Sequence, residues 1–110
     1  MSQNYREKKV NKMYTREEII LFSALCIKDL EAQTNRLLPA EKSRIVFRYV
    51  DSSARQLLRG STDSAKLFLL DATECLFGNT DINTKNGAMF VLNRYINILT
   101  SEYERRSVAA

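Results

Sequence analysis

The sequence predicts an all-α protein, a compact four-helix bundle, and three features carry that expectation. Apolar residues recur at helical pitch in four separate blocks. No strand-like alternation persists beyond four residues. The single proline and three glycines fall where helices should end. With 110 residues, 45% of them apolar, the chain fits one domain that buries about two thirds of its unfolded surface.

Residues 1–14 are polar and basic without periodicity, and read as a flexible basic tail ahead of a single helical domain over 15–110. Thr15-Arg16-Glu17-Glu18 spells a capping box, with the acidic pair facing the positive end of the helix dipole. The first helix should cover about 16–37. Its front, Ile19 to Ile27, is apolar nearly all round and should be deeply buried. Its second half is more polar and leaves mainly Leu30, Leu37 and Leu38 for packing. Pro39 breaks that helix and suits the first turn of the next, over about 40–59. Val46, Phe47, Val50, Ala54, Leu57 and Leu58 share one side of it, and Gly60 supplies a left-handed stop.

The third helix, capped by Ser61 or Thr62, should span about 63–77, with Leu67-Phe68-Leu69-Leu70 making it strongly apolar up to Gly78. Asn79 to Asn83 is turn chemistry, with Asn83 as the cap. The fourth helix should cover about 84–105 on a stripe of Ala88, Val91, Leu92, Tyr95, Ile96, Leu99 and Tyr103. Two helices apolar over most of their circumference exceed what a four-helix monomer can hide. A homodimer that buries the surplus answers this, with a tightly wrapped monomer as the alternative.

The composition argues against catalysis. There is no histidine, so the commonest general base and metal ligand is missing. Cys26 and Cys75 are too few for a zinc site and lie in apolar stretches. They read as two reduced, buried thiols, with an interhelical disulfide as the alternative. Glu17/Glu18 is explained by capping, and Asp71/Glu74 should lie on the exposed side of the third helix. Read as a calcium loop, residues 79–90 put Thr84 sixth and Phe90 twelfth. Starting at Asp81 puts Asn86 and Leu92 there, so both registers lack the required glycine and glutamate. No enzyme activity, cofactor, metal or small-molecule substrate is expected. No apolar run approaches the roughly 20 residues of a membrane span, and no secretory leader is visible, so a cytoplasmic location is expected.

The net charge of +4 is unevenly placed. On the second helix Arg44, Arg48, Arg55 and Arg59 are spaced four, seven and four apart. At about 100° per residue they fall within an arc of roughly 60°, opposite the apolar face. Such a stripe can grip carboxylates or phosphates bidentately. It reads either as a docking strip for an acidic protein or nucleic-acid backbone, or as a solvated face neutralised by nearby acids. A second pattern is a helix-turn-helix of the third and fourth helices, with Thr84, Lys85 and Asn86 opening a recognition helix. A six-residue turn over 78–83 would be long for that motif. Tyr5 and Tyr14, interleaved with basic residues, could stack on single-stranded bases, but a disordered terminus is the reading the sequence favours.

Leu76-Phe77-Gly78 and Asp81-Ile82-Asn83-Thr84-Lys85-Asn86 resemble the helix-turn-helix junction of the small AriR/YmgB biofilm regulators of enteric bacteria. The resemblance is confined to residues 76–86 and implies a dimeric helical regulator. The expected function is a non-catalytic regulatory or adaptor protein that binds a protein partner and itself. The alternatives are a nucleic-acid-binding regulator using Arg44, Arg48, Arg55, Arg59 and Lys85, and a secretion or assembly chaperone.

Overall fold

A computed structural model of the chain describes residues 14–109. Four helices follow one another: α1 (Arg16–Thr34), α2 (Ala40–Leu58), α3 (Thr62–Phe77) and α4 (Ile82–Ala109). Each packs on the next, α4 closes back on α1, and α2 touches α4 across the bundle. Cross-helix contacts give the directions. Glu18, Phe22 and Asp29 of α1 meet Arg106, Tyr95 and Arg94 of α4, in reverse order. Likewise Lys42 and Tyr49 of α2 meet Leu76 and Phe68 of α3. Neighbouring helices are therefore antiparallel in both pairs, as short connections require. The all-α bundle expected from periodicity is the fold observed.

The capping box opens α1 as expected: the Glu18 backbone N–H donates to Thr15 Oγ1 at 3.1 Å, and the Thr15 N–H to Glu18 Oε1 at 3.0 Å. The helix ends earlier than expected, at Thr34 rather than near 37. Asn35 takes the left-handed conformation (φ 54°) and donates its N–H to the Glu31 carbonyl. The Glu31 carboxylate then accepts the Leu38 N–H at 2.8 Å, holding the connection. Asparagine enters this region more readily than other side-chain-bearing residues, so it stops the helix before Pro39 can. Pro39 instead opens α2, its carbonyl accepting from Lys42 and Ser43. Leu37, expected to pack, is exposed, while Leu38 packs against the core.

Gly60 (φ 79°) gives α2 its left-handed stop. Ser61 caps α3 through the Ser64 N–H. Gly78 ends α3 in right-handed geometry, so it supplies no left-handed turn there. Asp81, not Asn83, caps α4: its carboxylate accepts the Thr84 N–H at 2.8 Å. The turn is thus four residues, 78–81, and α4 runs on to Ala109 instead of stopping near 105.

The core is drawn from every helix and includes Leu30, Val46, Leu57, Leu76, Phe77, Val91 and Leu99. The deeply buried front expected for α1 is not found. Only Ile19, Ser23, Cys26 and Leu30 of that helix are buried. Ile20, Leu21 and Leu25 stay exposed, as do Leu67 and Leu70 of α3. A helix at the rim of a four-helix bundle can offer only one side to the interior, so the surplus remains outside.

The flexible tail expected over 1–14 lies outside the described residues except for Tyr14. That ring packs against the core, and its hydroxyl donates to the Leu99 carbonyl.

Candidate functional site

Arg44, Arg48 and Arg55 of α2 and Arg59, the residue that caps its C-terminal end, are all exposed on one side. The buried residues Val46, Val50, Ser53, Ala54 and Leu57 occupy the other, roughly 180° away at about 100° per residue. Arg55 Nε pairs with Asp51 Oδ2 at 3.1 Å, one turn back on the same helix. Arg44, Arg48 and Arg59 have no ion pair among the described residues. Lys85 lies apart from the stripe. Its ammonium sits 3.4 Å from Glu74 Oε1, joining α4 to α3 across the short turn. Tyr14 is likewise committed to the fold, and Tyr5 lies outside the described residues.

A second surface runs between α1 and α4. Leu21 (62% exposed), Leu25 (48%) and Ile98 (46%) stand open to solvent there, and Ile20 (47%) on the flank of α1 turned away from α4. Leu21, Phe22, Leu25 and Ile98 line a groove of about 240 Å³ closed at one end by Tyr14 and Arg106. An antiparallel crossing brings these residues together although they lie far apart in sequence.

A polar clasp holds the two walls. Arg106 Nη1 donates to Glu18 Oε1 at 3.1 Å, and its Nε donates to Glu102 Oε1 at 2.9 Å. The guanidinium also lies over the Tyr14 ring, 5.0 Å from its centroid. The hydrogen bond from Arg106 holds the Glu18 carboxyl below the usual carboxylate range. Arg105 and Arg106 together hold Glu102 down at about 2. Burial pushes the Tyr14 phenol up to about 12. At the far end Asp29 accepts from Arg94 at 3.2 Å and from the Tyr95 hydroxyl. Sequence reasoning missed the clasp because it assigned Glu18 to capping alone, and no local pattern ties residue 18 to residue 106.

The cysteines separate. Cys26 is fully buried, and burial pushes its thiol up to about 12. Cys75 is exposed, correcting the expectation that both are buried, and its Sγ lies 3.4 Å from Tyr49 Oη. Both are free thiols. Burial and the Cys75 contact push the Tyr49 phenol up to about 12. Among the described residues no group of three or more His, Cys, Asp or Glu side chains could hold a metal ion. No helix among them is long and apolar enough to cross a membrane.

These features define an all-α helical bundle with an apolar face and a separate basic face. No family model, curated protein or solved structure matches the chain. Residues 76–86, which resemble the AriR/YmgB junction, form the end of α3, the turn 78–81 and the start of α4.

Proposed function

We propose that this chain is a small non-catalytic regulatory or adaptor protein that acts by binding proteins, itself included. The supporting observation is the cluster of Leu21, Leu25 and Ile98, exposed side by side across two helices, with the exposed Ile20 extending the apolar surface over the outer side of α1. Burying a large aliphatic side chain is worth about 1.5–3 kcal/mol. A contiguous apolar surface of this kind is therefore unfavourable unless something covers it. In this reading the α1–α4 face joins two copies, and the exposed Arg44, Arg48 and Arg59 orient an acidic partner.

Light scattering over a concentration series tests the reading. The expected result is twice the chain mass, shifting to monomer for Leu25→Asp with helicity retained. A chain still monomeric at about 200 µM, where mass action favours association, overturns it.

The guanidinium groups of Arg44, Arg48 and Arg59, exposed and without an ion pair among the described residues, favour a second reading, a nucleic-acid-binding regulator. Binding to random duplex DNA decides between the two, because phosphate contacts weaken steeply with salt. The adaptor reading expects no salt-sensitive binding even at low ionic strength. Binding that vanishes in Arg48→Glu/Arg55→Glu transfers the lead to nucleic acid.

A further inference from the structure

The exposed side of α1 carries an ordered pattern. Glu17, Ile20, Leu21, Ala24, Leu25 and Lys28 are all exposed. At about 100° per residue they share an arc of roughly 140°, facing away from the buried Ile19, Ser23, Cys26 and Leu30. Along the helix the order is acid, two apolar turns, base. Neither Glu17 nor Lys28 has an ion pair among the described residues, in contrast to Glu18 and Asp29 on the flank facing α4.

We propose that a second copy of this chain docks on this face, with the two α1 helices antiparallel about a two-fold axis passing between Phe22 and Ser23. This rests on the homodimer reading above and specifies its surface and register. A two-fold interface must be complementary to itself, since each residue meets the one equally far beyond the axis. Around that point Glu17 meets Lys28 of the second copy, Ile20 meets Leu25, and Leu21 meets Ala24, each contact occurring twice. The small Ala24 opposite Leu21 lets the helices approach to the usual packing distance of about 8–10 Å. Ile98, beside Leu21 and Leu25 in the groove, widens the apolar contact.

Charge selects both the direction and the face. A parallel pair would set Glu17 against Glu17 and Lys28 against Lys28. The arginine stripe on α2 is net positive, with Glu41 and Asp51 offsetting it only in part, and repels its own copy. The exposed Leu67 and Leu70 of α3 are bracketed by Asp63 and Glu74. In an antiparallel pairing of α3 those two acids would meet, a like-charge contact beside the opposite pair of Lys66 and Asp71, and each acid would face itself in a parallel one. Of these three faces, that of α1 meets its own copy with opposite charges at both ends and no like-charge contact.

A charge swap tests the register. Sedimentation equilibrium at low ionic strength compares the wild-type chain with Glu17→Lys, Lys28→Glu and the double variant. Both positions are exposed, and circular dichroism checks that helicity is kept. Each single reversal creates two like-charge contacts and should raise the dimer dissociation constant about tenfold. The double variant restores opposite charges and should return to within about threefold of wild type. A wild-type dimer with a double variant no tighter than the singles overturns this register and leaves self-association standing. A wild-type monomer at about 200 µM overturns both, on the same mass-action ground.

Discussion

At Cys26 no part of the side chain reaches water, and the thiolate form is penalised accordingly. Thiol reagents attack the thiolate, so this residue should be inert in the folded chain. Cys75 stands at the surface between α2 and α3, with the Tyr49 hydroxyl beside it. An Ellman titration at pH 8 should therefore count one reactive thiol in native protein and two in denaturant. Two fast-reacting thiols in the native state would show that the α1 interior is open. Ser23 shows the same dependence on phase. It is a polar residue within an apolar run, yet it is buried, its hydroxyl donating to the Ile19 carbonyl at 2.7 Å. Leu21 and Leu25, two positions to either side, face solvent. Hydropathy alone ranks these three the other way round.

At the scale of the element, caps and stops decide where each helix lies. Thr15 accepts from the Glu18 N–H, and Thr15→Ala should cost about 1 kcal/mol in urea unfolding, the usual loss for such a cap. Gly60 at φ 79° has open space around its missing side chain, so Gly60→Ala meets only backbone strain, about 1 kcal/mol for a left-handed L-residue. Stability unchanged in both variants would mean that these ends fray in solution. Thr15 and Gly60 were legible because their chemistry is local. The true end of α1 was not. Asn35 is an ordinary polar residue until its left-handed backbone and the Glu31 carbonyl are seen together. The start of α4 was misplaced because Asp81 and Asn83 are both good caps, and it is the Asp81 carboxylate that takes the Thr84 N–H.

Across the whole molecule, the clasp of Glu18, Glu102 and Arg106 ties the two ends of the chain's helical domain. Both carboxyls lie lower in the folded state than in the unfolded chain. Their contribution is therefore fully present above the ordinary glutamate value of about 4.3. It is lost as pH falls through the folded values, down to about 2 for Glu102. The melting temperature should decline progressively below about pH 4.5, and Arg106→Gln should be less stable at pH 7 and show a shallower decline. Equal slopes for the two proteins would place the acid sensitivity elsewhere. The exposed α1–α4 face belongs to the same scale, since neither helix alone forms the groove.

Taken by itself, the sequence determined that the chain is helical, how many helices it has, and that the four arginines of α2 face away from its apolar side. These follow from periodicity and local backbone chemistry, which act within a few residues. Tertiary packing alone decided which arc of the apolar α1 turns inward, which cysteine is exposed, and that Glu18 meets Arg106. A nearly all-round apolar helix has no intrinsic phase, so its orientation is set by the neighbours that pack against it.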